Sequence, residues 1–246
     1  MEYDGVLHPL RWGLAHSRNN YSAWIMKQAK QPEAVADFIH NLGILSFIDP
    51  VYALCVGSFE SNVYEMVSAY STFANEGVYN TPIFVTHIED RQGNLISSFT
   101  TSSQDAISKE SAYTMLTMMQ NVITHGTGRR MGWAFNMHGV EIAGKTGTTN
   151  ENADGWFMGY TPSLVSGCWV GGDDRDIHFT SMSDGQGASM ALPIWALYMQ
   201  KVYADESLGY SQDEKFNIPE DFDPCAQQTI VTNMADEQQL DESFSF

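Results

Sequence analysis

The chain has 246 residues, 43% of them hydrophobic, which is enough to bury one sizeable core. Its formal charge is −18, and this composition lacks the basic face that a nucleic-acid-binding protein needs. No apolar run approaches the ~18 residues that span a membrane, and the first residues do not form a signal-peptide pattern.

The first part of the chain is predicted to be mainly helical. Residues 17–31 have apolar positions at helical spacing, with Ser17 as a candidate N-terminal cap. Pro32 suits the first turn of a second helix, which Gly43 ends. A third helix carries one apolar stripe and stops near Gly77.

The hydrophobic period then changes to that of strands. IFVTHIED and LISSF predict a hairpin, and a helix follows from Ser108 to about His125. GVEIAGKTGTT, DGWFMGYT and LVSGCWVGG predict three more strands, and a last helix runs from Ser189 to Tyr203. This order predicts an α/β (α+β) domain with a mostly antiparallel sheet flanked by helices.

The C-terminal residues 205–246 have a different composition. They contain 11 acidic residues and one basic residue, Lys215, without apolar periodicity. Such a segment is typical of chains that cannot bury enough apolar area to fold. We therefore expect residues 1–204 to form the domain and the tail to be largely disordered, so that deletion after about Glu206 leaves the fold intact.

The stretch GVEIAGKTGTT fits two incompatible motifs. Residues 139–146 match the pattern of a nucleotide-binding P-loop, and residues 145–147 match the K-T-G of penicillin-reactive enzymes. A P-loop needs a loop before Lys145 and a helix after it. The residues before Lys145 alternate as in a strand and those after Thr146 begin a helix poorly, so the sequence disfavours the nucleotidase.

The K-T-G interpretation predicts a strand that ends at a cleft. An ammonium group at Lys145 with hydroxyl groups at Thr146 and Thr148 forms a receptor for a peptide carboxylate, because charge-assisted hydrogen bonds are strong. Gly147 between them allows a substrate backbone to approach closely. A free strand edge can also pair with an extended peptide.

A second motif supports the first. Ser17 and Asn19 form S-x-N, which accompanies K-T-G in serine enzymes that react with penicillin. The alternative for Ser17 is a simple helix cap. The three cysteines and seven histidines show no metal-ligand spacing, so no metal site is predicted.

These motifs and several longer stretches resemble one known family. LRWGLAHSRN, YEMVSAYSTFANEGVY, MMQNVITHGTG, AGKTGTT and DGWFMGYTPSLVSGCWVGGDD occur in the order found in class A, bifunctional penicillin-binding proteins. The resemblance to their transpeptidase domain covers about residues 3–203. It implies the penicillin-binding and β-lactamase-like fold, peptidoglycan stem peptides as partners, and no cofactor.

The family's third motif, S-x-x-K, is missing: no serine of the chain has a lysine three positions later. We therefore expect a transpeptidase domain truncated at its N-terminus and inactive alone, with β-lactam reactivity only when the missing segment is restored. The resemblance implies an intact protein of the cell envelope, membrane-anchored and carrying an N-terminal glycosyltransferase domain.

The resemblance also implies residue roles. Ser17, Asn19 and Lys145 are the expected catalytic residues, and Thr146, Gly147 and Thr148 the expected substrate-binding residues. Two alternatives stay open: a non-catalytic module of the same fold that binds peptidoglycan or a partner protein, and, remotely, a P-loop nucleotidase.

Overall fold

The computed structural model describes residues 6–224. Within this range the chain forms eight α-helices, joined by strands, turns and short 3₁₀ segments. None of these helices is both long and apolar enough to cross a membrane. The helices are α1 (Leu10–Ala15), α2 (Asn19–Ala29), α3 (Pro32–Asn41), α4 (Val63–Ala74), α5 (Lys109–His125), α6 (Arg130–Phe135), α7 (Met182–Gly185) and α8 (Ala191–Ala204).

The seven strands of residues 6–224 form three separate sheets. Strands β1 and β4 make one two-stranded ribbon, β2 and β3 make another, and β5, β6 and β7 form a three-stranded sheet in that order. Every strand pair between residues 6 and 224 is antiparallel, which confirms the predicted sheet type. The strands are β1 (Val78–Asn80), β2 (His87–Glu89), β3 (Leu95–Ser98), β4 (Ser103–Asp105), β5 (Ala143–Thr148), β6 (Asp154–Tyr160) and β7 (Val165–Gly171).

The three-stranded sheet lies between two layers of helix, as its alternating side chains require. On one face Phe157 is fully buried and meets the edge of Trp195 from α8. On the other face Tyr160 packs with Tyr113 and Leu116 from α5. Helix α4 covers the same face beside α5. The predicted flanking of the sheet by helices is therefore confirmed.

The segment around Lys145 has the wrong structure for a P-loop. Lys145 and Thr146 lie inside β5, and the chain continues through Thr148 into a turn and then β6. A P-loop lysine and threonine would begin a helix whose N–H groups hold phosphate. The strand prediction is correct, and the nucleotidase alternative loses its structural basis.

The prediction that Ser17 caps a helix is wrong. Helix α2 begins at Asn19, and the residue at its cap position is Arg18, which makes no side-chain capping bond. Ser17 lies in the turn between α1 and α2 with a left-handed φ of +52°. A non-glycine residue in this region is uncommon and is found where the surrounding structure holds it.

The tail prediction needs correction for its first part. Phe216, Ile218 and Phe222 pack against the cluster that contains Tyr113 and Tyr160. The composition argument failed because a few well-spaced apolar residues suffice to dock a segment onto an existing core, whatever its net charge. The packed chain therefore extends past residue 204, and residues 225–246 lie outside the described residues.

Polar contacts fix this docked segment as well. The Phe216 N–H donates to the Glu141 carboxylate at 2.7 Å, and Asn217 donates to Glu76 at 3.4 Å. Lys215 pairs with Glu141 at 3.7 Å. Residues 215–222 therefore pack over the core formed by α5 and the three-stranded sheet.

Candidate active site

The structure brings the two predicted motifs together. The Lys145 Nζ donates a hydrogen bond to the Ser17 Oγ at 2.8 Å, across 128 positions of sequence. Ser17 reaches this point because it follows the C-terminus of α1, and α1 packs along α5, which in turn packs on β5. Packing of α1 on α5, and of α5 on β5, thus places the S-x-N turn next to the K-T-G strand.

The Lys145 side chain is half-buried. Its Nζ also donates to the Thr146 carbonyl oxygen at 2.8 Å, and burial lowers the pKa of this amine from 10.5 to about 8. Burial disfavours the charged form, because few protein groups replace the lost water. An amine with such a pKa can hold or release a proton near neutral pH, as proton transfer requires.

The two threonines of this strand are placed differently. Thr148 is exposed, and its Oγ1 accepts a hydrogen bond from the Gly187 N–H at 3.0 Å, which leaves its own O–H free to donate. Thr146 is 8% exposed, and its hydroxyl lies 2.6 Å from the Thr127 hydroxyl. The geometry therefore favours Thr148 for contact with a ligand, whereas Thr146 makes an internal contact.

The free edge of β5 offers a main-chain donor. Thr149 donates its N–H to the Asp154 oxygen of the neighbouring strand at 3.1 Å. Because N–H groups of an antiparallel strand alternate between its two sides, the Thr148 N–H points away from β6. An N–H group in this direction can stabilise an oxyanion that forms at the cleft.

The remaining predicted residues lie at the rim. Asn19 is exposed in the first turn of α2, and its side chain makes no hydrogen bond within residues 6–224, so its amide is open to a ligand. Gly147 packs so closely on Trp156 that an added Cβ would lie 3.1 Å from its Cβ. Among the described residues, no group of three His, Cys, Asp or Glu side chains could hold a metal ion.

The sequence comparisons agree on one family. Residues 52–167 match the penicillin binding protein transpeptidase domain. The chain is 33% identical over 201 residues to penicillin-binding protein 1A of Aquifex aeolicus. This chain belongs to the penicillin-binding protein transpeptidase family. The predicted resemblance is thereby confirmed.

A second relative and two solved structures extend the comparison. Penicillin-binding protein 1A/1B of Bacillus subtilis is 33% identical over 193 residues, covering 71% of this chain and 20% of that protein. The penicillin-binding protein 1A structure from Haemophilus influenzae aligns with a TM-score of 0.74 at 22% identity, over 89% of this chain and 39% of that one. PonA1 from Mycobacterium tuberculosis aligns with a TM-score of 0.71 at 25% identity, over 89% and 64%.

The relatives are much longer than this transpeptidase-family chain. The alignment covers 82% of the chain but 26% of the Aquifex protein and, for the Neisseria meningitidis penicillin-binding protein 1A, 25%. The chain thus spans about a quarter of the curated relatives that it matches. What the whole protein does is therefore a matter for proposal.

Sequence reasoning missed two residues that organise this site. Thr127 lies in MMQNVITHGTG, which was quoted only for its family resemblance, and Gly187 lies in a stretch to which no role was given. An added Cβ at Gly187 would lie 2.2 Å from the Gly147 oxygen, so only glycine fits against β5 there. The glycines on either side of Thr127 were the one available signal of close backbone contact.

Proposed function

We propose that the chain forms two walls of the active site of a serine-type D,D-transpeptidase, which cross-links peptidoglycan stem peptides and is acylated by β-lactams. The observation that carries the proposal is the 2.8 Å contact between Lys145 and Ser17, which joins the two motifs. Membership of the transpeptidase family supports the reaction class.

The position of each site residue indicates its step in the proposed reaction. A serine nucleophile attacks the carbonyl of the penultimate D-alanine, the terminal D-alanine leaves with a proton, and an amine of a second stem peptide resolves the acyl-enzyme. Ser17 and Lys145 relay the proton between the nucleophile's base and the leaving group. Thr148 donates to the terminal carboxylate through its hydroxyl and to the oxyanion through its N–H, and Asn19 holds the peptide amide.

The nucleophile belongs to an S-x-x-K segment that these 246 residues do not contain. The chain alone therefore neither cross-links peptides nor reacts with β-lactams. In the proposed whole protein this segment completes the site, a glycosyltransferase domain and an anchor precede it, and the enzyme works at the outer face of the cytoplasmic membrane.

Labelling with fluorescent penicillin tests the role of Asn19. In the whole protein, Asn19→Ala should slow labelling by about tenfold or more, since the lost hydrogen bonds position the substrate. Asn20→Ala is the matched control, because Asn20 is equally exposed in the same turn of α2. Equal labelling rates for the two variants would contradict the assignment.

A non-catalytic peptidoglycan- or partner-binding module is the second candidate, favoured by the missing S-x-x-K alone. Sequencing the DNA upstream of the Met1 codon separates the two. An in-frame S-x-x-K supports the transpeptidase, and its absence supports a binder. Titration calorimetry with a peptide ending in D-Ala-D-Ala would then show whether the binder recognises stem peptides.

A further inference from the structure

Thr127 makes one contact with each of the two elements that carry the site. Its N–H donates to the Ala15 oxygen at 3.0 Å, at the C-terminal end of α1. Its hydroxyl lies 2.6 Å from that of Thr146 in β5. Ala15 precedes Ser17 by two residues, and Thr146 follows Lys145 directly, so Thr127 links the backbone beside one motif to a side chain of the other.

The residues around Thr127 are packed too closely for α1 and β5 to shift relative to each other. An added Cβ at Gly126 would lie 2.2 Å from the Ala15 oxygen. At Gly128 it would lie 2.8 Å from the Ile123 side chain. Ala15 is fully buried and Thr146 nearly so. Interiors packed to this density transmit a small displacement rather than absorbing it.

We propose that Thr127 is a positioning residue that sets the contact between Ser17 and Lys145 by tying α1 to β5. The inference deepens the proposed function and rests on it only for its effect on the reaction. Among residues 6–224, the hydrogen bonds of Thr127 go to Ala15 and Thr146 and to neither of the two side chains that it positions. It acts through the backbone of Ala15 and the hydroxyl of Thr146.

Loss of the Thr127 hydroxyl has two consequences. Thr146 keeps a buried hydroxyl without its partner, which costs about 1–3 kcal/mol where no water replaces it. Relaxation of β5 away from α1 then separates Lys145 from Ser17 and admits water to the ammonium. Because burial is what lowers the pKa of Lys145 to about 8, hydration must raise that pKa.

The first test uses the 246-residue chain and a readout that needs no activity. The pKa of Lys145 is measured by NMR titration of the lysine side chains, with Lys145→Ala identifying the resonance. Thr127→Val keeps the shape but removes the hydroxyl, and should raise that pKa from about 8 toward 10.5, by about one unit or more. Thr127→Ser keeps the hydroxyl and should restore the low value.

The matched control is Thr124→Val, one turn earlier in sequence. The Thr124 hydroxyl donates to the Gln120 oxygen of its own helix and lies 2.8 Å from the His125 Nδ1, and neither partner belongs to the site. The Thr124→Val variant should leave the Lys145 pKa unchanged. If Thr127→Val does not fold, Thr146→Val removes the other hydroxyl of the pair and should produce the same shift.

The second test measures β-lactam acylation of the whole protein. Thr127→Val should lower the acylation rate by about tenfold or more, since displacements below 1 Å have such effects, and Thr127→Ser should restore it. A wild-type Lys145 pKa in a folded Thr127→Val chain would overturn the inference. A raised pKa with no acylation even in the wild-type whole protein would instead count against the proposed transpeptidase and leave the positioning role supported.

Discussion

The Ser17 hydroxyl accepts a hydrogen bond from the Lys145 ammonium at 2.8 Å, although no local spacing relates the two residues. Ser17 is held in a left-handed turn with φ of +52°, and Lys145 lies in β5, which packs against α5. The contact therefore depends on how α1, α5 and β5 pack. It also shows that Ser17 has a basic neighbour, which the absence of a nearby lysine in sequence had hidden.

Replacing Lys145 in the whole protein should abolish most of its reaction with β-lactams. Lys145→Ala removes the cation that meets Ser17 and that we propose faces the substrate carboxylate, so acylation and cross-linking should both fall by about a hundredfold or more. Stopped-flow labelling with fluorescent penicillin measures the first effect. Lys201→Ala, on an exposed position of α8, is the control and should react at the wild-type rate.

The same lysine should make the chain less stable at neutral pH than a neutral substitute would. Its folded pKa, about 8, lies below the ordinary 10.5, so between these values the unfolded chain binds more protons. Stability then rises with pH across this window, and the partly buried ammonium costs at most about 3 kcal/mol below it. Lys145→Met should therefore melt higher than wild type at pH 7.

Thermal melts of both chains from pH 7 to pH 11 measure this difference. The advantage of Lys145→Met should shrink as pH rises from 8 and be nearly gone above 10.5. Other groups titrate in the same range, but they are common to both chains and cancel. A difference that does not change with pH would mean that the Lys145 pKa is not depressed.

Local sequence rules predicted the strand that carries Lys145, because its alternation and flanking turns are local properties. They could not predict the contact with Ser17, which depends on packing between distant elements. The resemblance to a family supplied that pairing instead. Thr127 stayed unnoticed because a hydroxyl pair between a loop and a strand has no periodic signature.

At the helix ends, too, local sequence rules predicted one feature correctly and missed another that tertiary packing determines. The Ser108 side chain accepts from the Ser111 N–H, so the predicted start of α5 is confirmed. At Ser17 the same residue type was assigned the same capping role, but here the tertiary contact with Lys145 determines its position. Serine favours the cap position of a helix locally, but packing of α1 against α5 outweighs this preference at Ser17.

Deleting the tail after Glu206 should destabilise the domain, contrary to the sequence-based expectation. The deletion removes Phe216 and Phe222, whose rings meet Tyr160 and Tyr113 at 5.7 Å and 5.5 Å. Loss of these contacts should cost a few kcal/mol, or several degrees in melting temperature. Calorimetry of the 1–206 chain measures it.

Two further variants show which residues of the tail account for the loss of stability. Phe216→Ala in the full chain should account for about 2 kcal/mol of the loss, because the side chain is half-buried. A chain ending at Pro224 retains every packed aromatic residue of the segment and separates its contribution from that of residues 225–246. An unchanged melting temperature for the 1–206 chain would show that the docked segment contributes nothing to stability.

In the proposed transpeptidase, this chain supplies the Ser17 and Lys145 relay but not the nucleophile. Intact-mass spectrometry after incubation with a labelled β-lactam tests it directly on the 246-residue chain and on the whole protein with its S-x-x-K segment. We expect no adduct on the chain alone and one adduct per whole protein, mapped to the S-x-x-K serine and formed about a hundredfold more slowly or not at all in Lys145→Ala. A stoichiometric adduct on the 246-residue chain, and above all one mapped to Ser17, would contradict it.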